Sequence, residues 1–236
     1  MRRLGLILPA LAAVILLAGC SGADAGRAEE LLRQSDQALK ALHSYRFAGR
    51  LTLESDGVEL TFVMKGGGNK RGGASYLTMH GEGVPGFPEL TLVQQGGTLW
   101  LRQGGSWTRM QAPAGQPNGL EQFDLGAYVE DVRVEEGASV GGEPAVKLSG
   151  VIDSGGVLRA VLGGLDDALT AGVSLDEVED ALGDVHVVLY VSEVSHLPVR
   201  TLVDMTIEAE GHRADLRFDF ALEPAKRPVR IPIPTA

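Results

Sequence analysis

Apolar and polar residues alternate along most of this chain, and that period of two is the feature that most limits its fold. From residue 45 to residue 53 every second residue is apolar or glycine. The same alternation runs through residues 58–64, 199–207 and 216–222. Successive side chains of a β-strand point to opposite faces of the sheet, so the pattern predicts long antiparallel strands with one buried face.

Short turn sequences separate the alternating runs. Ser55-Asp56-Gly57 follows the first run, and Gly96-Gly97 and Gly104-Gly105 divide the stretch from residue 90 to residue 111 into three runs. Two-residue glycine connections between β-rich runs are strong hairpin signals, so these runs form a meander. Further strands are predicted at residues 74–80, 144–152 and 184–192. The glycine-rich run 66–73 and the proline-containing segment 112–119 are interpreted as loops, the first of them mobile and basic.

Helical spacing of apolar residues appears in three places. It predicts an amphipathic helix at residues 27–43 and helices at residues 157–170 and 174–182. A short helix is also predicted within residues 120–132. The fold class is therefore predicted to be α+β. One arrangement of these elements is a strongly curved antiparallel sheet with helices over its concave face. Those helices either close a cavity lined by Leu, Val, Phe and Met or simply fill the core. Periodicity alone favours the filled core.

The N-terminus carries an export signal. Arg2 and Arg3 precede an apolar run that ends at Leu17-Ala18-Gly19-Cys20, and the run is shorter than the roughly 20 residues of a membrane span. The ending resembles the bacterial lipoprotein signal, in which the cysteine receives a diacylglycerol and becomes the first residue. An ordinary secretory signal with an accidental cysteine, or an uncleaved anchor, is the alternative. An exported free thiol is reactive, whereas a thioether is not.

These observations predict a domain plan and a location. Residues 1–19 are the cleaved signal, residues 20–26 are a lipidated tether, and residues 27–236 are one domain. Acyl groups, palmitate among them, attach the chain through Cys20 to the extracytoplasmic face of the cell membrane.

Net charge limits the partners. The formal charge of −10 becomes about −12 when Arg2 and Arg3 leave with the signal. Nucleic-acid binding needs clustered Lys and Arg, so an acidic chain is a poor candidate for it. Electrostatic adsorption to an anionic membrane is disfavoured for the same reason, which leaves the acyl chains as the predicted membrane contact.

Catalytic and metal-binding patterns find little support. Gly137-Ala138-Ser139-Val140-Gly141 matches Gly-x-Ser-x-Gly, but its flanks indicate a surface turn rather than the strand and helix of a nucleophile elbow. The five histidines show no i,i+4 pair, and the acidic run at residues 176–184 lacks the layout of a calcium loop. The glycines at 66–73 lack the Lys-Ser/Thr of a P-loop. No catalytic residue, metal or cofactor is predicted, and the chain is not expected to be an enzyme.

A family resemblance rests on Leu17–Cys20, on residues 38–47 leading from helix into strand, on the hairpin at residues 99–108, and on residues 196–200. With these features the chain resembles the LppX/LprG-type lipoproteins of actinobacteria, within the LolA-like superfamily. The resemblance implies a half-barrel that holds an acylated lipid or glycolipid and carries it across the cell envelope. It brings no catalytic residues with it.

Strand parity then predicts which side chains line the cavity. The strand residues are Leu51, Phe62, Leu99, Leu148, Leu189, Met205 and Phe218, and the helix residues are Leu158, Leu162 and Leu165. Helices 157–170 and 174–182 gate the cavity in this hypothesis, and a membrane transporter or acceptor protein is a further expected partner. The alternatives are an envelope lipoprotein that binds or regulates another protein without lipid cargo, and, ranked last, a hydrolase acting through Ser139.

Overall fold

The computed structural model describes residues 23–84, 86–111, 129–152, 181–209 and 211–234. This part of the chain forms one long α-helix, α1 (Ala23–Ala41), and one sheet of eleven strands. In chain order the strands are β1 (Ser44–Ser55), β2 (Val58–Asn69), β3 (Ala74–Glu82), β4 (Leu90–Gln95), β5 (Thr98–Gln103), β6 (Ser106–Gln111), β7 (Val129–Val140), β8 (Glu143–Ile152), β9 (Val185–Ser192), β10 (Pro198–Ala209) and β11 (His212–Pro224). A short 3₁₀ helix, Lys70–Gly72, joins β2 to β3.

The sheet is open, and its order is β6-β5-β4-β3-β2-β1-β11-β10-β9-β8-β7. Every neighbouring pair is antiparallel, as the alternation predicts. β1 and β11 are neighbours in the sheet although they lie near opposite ends of the chain, and they pair from Tyr45↔Pro224 to Ser55↔Ala214. That central pair joins an N-terminal wing, β1–β6, to a C-terminal wing, β7–β11.

The predicted hairpin turns are confirmed. Asp56 and Gly57 have φ values of 52° and 75°, and Gly96-Gly97 and Gly104-Gly105 also have positive φ at both residues. Two successive residues with positive φ characterise the type I′ turn, whose twist matches that of paired strands. Local sequence therefore sets these connections.

The prediction of a mobile loop at residues 66–73 is wrong for its first half. Gly66, Gly67 and Gly68 are buried inside β2 and pair with β1 on one side and β3 on the other. A Cβ at Gly66 would lie 2.4 Å from the Phe47 ring, and one at Gly68 would lie 2.7 Å from the Tyr45 ring. The glycines form a strand because the absence of side chains leaves room for these two aromatic rings.

The predicted helix within residues 120–132 is wrong where the structure describes it, since Val129–Val132 begins β7. Val129 and Val132 are both buried although they are three residues apart, which is a helical spacing. The pairing with β8 shifts between Glu130 and Arg133, and Asp131 has a φ of 57°. A β-bulge thus inserts an extra residue and turns both valines to one face.

The two helices predicted at 157–170 and 174–182 lie almost wholly outside the described residues. At the end of the second, Leu182 forms an isolated β-bridge with Ile207, and Gly183 N donates to Thr206 O at 2.9 Å. Of this predicted helix the structure describes two residues: Ala181 is helical, whereas Leu182 is extended and packs against the main core.

Helix α1 packs on the apolar face of the sheet. Its Ala28 and Leu32 belong to the main core, while Leu39 packs with Leu197 and Leu222 in a second cluster. Its N-terminal part is tied to β7 by an ion pair between Arg27 and Glu136. Among the described residues no helix is both long enough and apolar enough to cross a membrane.

Candidate functional site

A continuous apolar face runs across the middle of the sheet. Leu51 of β1 lies directly opposite Phe62 of β2 and Phe218 of β11. The row continues from Phe218 to Val203 and from Val203 to Val187. Side chains directly opposite in an antiparallel pair lie on the same face, so five strands contribute to one apolar row.

Two further rows, one on each side of the first, complete the face. Leu148 of β8 lies opposite Leu189 of β9, and Met205 of β10 lies opposite Leu216 of β11. All four side chains are at most 7% exposed and belong to the same core cluster as Leu51 and Phe218. Six of the seven strand residues predicted to line a cavity thus share one buried face. Their role as ligand contacts stays a prediction.

Leu99 differs from these six. By register it lies on the same face, because it pairs with Gln94, which continues through Ser75 and Gly68 to Tyr45. It is only half-buried and does not belong to the main cluster. The three predicted helix residues, Leu158, Leu162 and Leu165, lie outside the described residues.

Burial of the apolar face decreases toward β6. Leu77, Leu92 and Leu101 lie opposite one another in β3, β4 and β5, and all three are half-buried. On the edge strand β6, Met110 is 37% exposed. The N-terminal wing therefore presents an apolar strip with partial access to solvent.

A glycine of the sheet and a serine of α1 also occupy positions of the apolar patterns. Gly49 lies between Met64 and Phe220, where a Cβ would come within 2.6 Å of the Phe220 Cβ. On α1, the Ser35 side chain is fully buried and its Oγ has no hydrogen-bond partner among the described residues. This burial agrees with the place of Ser35 in the helical apolar pattern, between Leu32 and Leu39.

Near the turn between β1 and β2, the opposite face of the sheet is polar and charged. A shallow depression of about 310 Å³ is lined there by Glu54, Glu59, Asp204, Asp215 and Arg217, among others. Arg217 Nε donates to Asp204 Oδ1 at 2.6 Å. Hydrogen bonds from Arg213 and then Thr206 lower the pKa of Asp215 below its ordinary value.

This acidic surface does not gather metal ligands. Within the described ranges, no group of three or more His, Cys, Asp or Glu side chains is arranged to hold a metal ion. Ser139 also lacks the setting of a nucleophile, since it is an exposed residue of β7, opposite Pro144 and just before the turn at Gly141-Gly142. The predicted surface position of Ser139 is confirmed, though in a strand rather than a turn, because Gly137 is accommodated in a bulge.

The fold is similar to solved structures of two mycobacterial proteins. The structure of LprF from Mycobacterium bovis matches with a TM-score of 0.51 and 18% identity, covering 91% of this chain and 100% of that chain. Lipoprotein LppX from Mycobacterium tuberculosis matches with a TM-score of 0.53 and 15% identity, covering 87% and 98%.

These matches confirm the predicted resemblance at the level of the fold: this chain has the LppX/LprG-type fold. A LolA superfamily protein from Nitrosomonas europaea also matches over 85% of this chain, with 13% identity and a TM-score of 0.35, which is too distant to support an inference. No protein-family model matches the chain, and neither does any curated protein.

Proposed function

We propose that this chain is a cell-envelope lipoprotein that binds an acylated lipid or glycolipid on the apolar face of its sheet and carries it across the envelope. The supporting observation is the half-buried leucine row Leu77–Leu92–Leu101, which continues the buried face of the central strands. The fold that it shares with mycobacterial LprF and with the mycobacterial lipoprotein LppX is consistent with this role.

Acyl chains need such a surface to cross water. Each buried CH₂ group contributes roughly 0.8 kcal/mol, so a long chain is strongly held wherever apolar side chains shelter it. A sheet curved into a half-barrel with helices over its mouth would enclose the chains on all sides. In this proposal the central residues, such as Leu51 and Phe218, form the floor, and the leucine row is the open part of the site.

Anchorage belongs to the same proposal. Lipidation of Cys20 would place the protein on the extracytoplasmic face of the membrane, beside its supply of lipid. The first helix begins at Ala23, only three residues after Cys20. Three residues span at most about 10 Å, so the folded part would stay close to the bilayer.

Bound lipid is the direct test. A chain that begins at Ser21 contains the whole described fold, and it should release lipid on extraction with organic solvent, as identified by mass spectrometry. Leu101→Gln should reduce the lipid recovered, because it places an amide in the leucine row. Leu202→Gln is the matched control, because Leu202 is also half-buried but lies on the opposite face, opposite Asp219.

Two results would contradict the proposal. A lipid-free extract together with one stoichiometric protein partner would favour the protein-binding alternative. Equal lipid recovery from both leucine variants would show that the apolar face does not hold the lipid.

A further inference from the structure

Three basic segments that are distant in sequence meet at one end of the sheet. They are residues 40–46 at the end of α1 and the start of β1, residues 69–71 at the end of β2, and residues 223–230 after β11. Together they contain seven of the 21 Lys and Arg residues of the chain, against one acidic residue, Glu223. The seven, here called the basic end, are Lys40, Arg46, Lys70, Arg71, Lys226, Arg227 and Arg230.

A polar contact between Ser44 and Asn69 holds the three segments together. Ser44 Oγ donates to Asn69 Oδ1 at 2.9 Å, and the Asn69 amide forms two hydrogen bonds with the backbone of Val229. Ala225 N donates to Ser44 O, and Lys70 N donates to His43 O, each at 2.9 Å. The basic end is therefore a fixed surface of the fold rather than a set of loose segments.

Most of these cations have no counter-ion within the part of the chain that the structure describes. Lys40 pairs with Asp36 at 2.5 Å, and Lys70 Nζ donates to the Lys40 carbonyl oxygen. The other five are exposed residues for which the described part of the chain provides no ion pair, and they are Arg46, Arg71, Lys226, Arg227 and Arg230.

The negative charge lies at the other end of the same strands. Glu54 and Glu59 flank the turn at Asp56, and Glu82 ends β3. β1 has 12 residues, so the two ends are about 40 Å apart at roughly 3.4 Å per residue. The screening length at physiological ionic strength is about 8 Å. The acidic end therefore does not cancel the field of the basic end.

We infer that the basic end is a docking surface for an anionic lipid bilayer. The negative potential of such a surface attracts clustered Lys and Arg side chains and favours binding. The attraction acts within about one screening length of the bilayer. The net charge of about −12 predicts weak electrostatic adsorption to an anionic membrane. That prediction overlooks the basic end, because a sum over the whole chain does not show where the positive and negative charges lie. The inference rests on the envelope location proposed above, but it does not depend on lipid cargo.

Docking would also orient the protein. An acyl anchor fixes one point of the chain near the bilayer, and a single point leaves rotation free. Contact through the basic end adds a second point and directs the acidic end away from the membrane. Two weak membrane contacts together give stable attachment where one contact alone does not.

Vesicle binding tests the inference. The chain from Ser21 is mixed with vesicles of phosphatidylcholine, or of phosphatidylcholine and phosphatidylglycerol in equal parts, and sedimented. Binding should require phosphatidylglycerol and should be lost in about 1 M salt, where the screening length is about 3 Å. Arg227→Gln with Arg230→Gln should weaken binding roughly twenty- to thirtyfold, since each cation contributes roughly fivefold.

The control removes the same charge elsewhere. Arg133→Gln with Arg213→Gln deletes two exposed arginines outside the basic end and should leave vesicle binding nearly unchanged. A second basic-end variant, Arg71→Gln with Lys226→Gln, gives an independent test if the first is poorly folded. Equal binding to neutral and anionic vesicles, or equal loss in control and basic-end variants, would overturn the inference. Solvent extraction measures lipid cargo separately, so failure of one proposal is distinguishable from failure of the other.

Discussion

Asn69 pairs with the backbone of Val229 in the way that one β-strand pairs with another. Its Nδ2 donates to Val229 O at 2.6 Å, and its Oδ1 accepts from Val229 N at 2.7 Å. The two residues are 160 positions apart, and Val229 is 5% exposed. Val229 packs against Gly67, where a Cβ would lie 3.2 Å from Val229 Cγ1. This contact fixes the C-terminal segment on the outer face of β2.

Replacing Asn69 should release that segment. Asn69→Ala leaves the N–H and C=O of Val229 without their partners, which should lower the free energy of unfolding by about 2 kcal/mol. Trypsin cleavage after Arg230 should accelerate in parallel. Asn69→Asp keeps the acceptor and loses the donor, so its free energy of unfolding should lie between those of the unsubstituted protein and Asn69→Ala. Unchanged stability and proteolysis in Asn69→Ala would show that the segment is held by other contacts.

The glycines of β2 should not tolerate a methyl group. A Cβ at Gly66 would lie 2.3 Å from the Tyr76 carbonyl oxygen and 2.4 Å from the Phe47 ring. Gly66→Ala should therefore cost about 1–3 kcal/mol of stability through overpacking. Gly72→Ala is the control from the same glycine-rich run, since nothing lies within 4 Å of a Cβ there and its change should stay within about 0.5 kcal/mol. Urea denaturation of both variants checks the difference.

Two buried serines should respond in opposite directions. Ser35 Oγ is buried without a partner in the described part of the chain, so Ser35→Ala should stabilise the fold by roughly 1 kcal/mol. Ser44 Oγ donates to Asn69, so Ser44→Ala should destabilise it by about the same amount. Thermal unfolding of the two variants measures the contrast. Destabilisation by Ser35→Ala would indicate that its hydroxyl has a partner in solution.

Asp215 should contribute to the pH dependence of stability. Its pKa is lowered by hydrogen bonds from Arg213 and Thr206, so its stabilising effect is present above the unfolded value of roughly 4 and disappears as pH falls through the lower folded value. Asp215→Asn should therefore lower the urea midpoint at pH 7 and have no effect at the acid end of the range. The side chain is exposed, so the effect should be small. Arg213→Gln should remove most of the same pH dependence. If the double variant lost the sum of the two single-variant stability losses, the pairing of Arg213 with Asp215 would be contradicted.

The sequence alone determined the elements whose signals are local. Alternation predicted the long strands, and Asp-Gly and Gly-Gly pairs predicted the hairpin turns, because a type I′ turn requires positive φ at adjacent residues. Parity also placed six predicted lining residues on one buried face, since a strand in a one-sided sheet has only two faces to choose from. Helix α1 followed from its amphipathic spacing.

Tertiary structure alone decided the features that depend on distant partners. Gly66–Gly68 carry no side-chain pattern, and only the rings of β1 and the strands on either side make them part of β2. The bulge at Asp131 gives Val129 and Val132 a helical spacing within a strand, so the period of two that predicts strands is absent there. The basic end exists because β1 pairs with β11 and Asn69 holds Val229. Net charge is a sum over the whole chain, and periodicity depends on residues that are adjacent in sequence. A charged surface is formed by residues that are neighbours in space, so neither quantity reveals it.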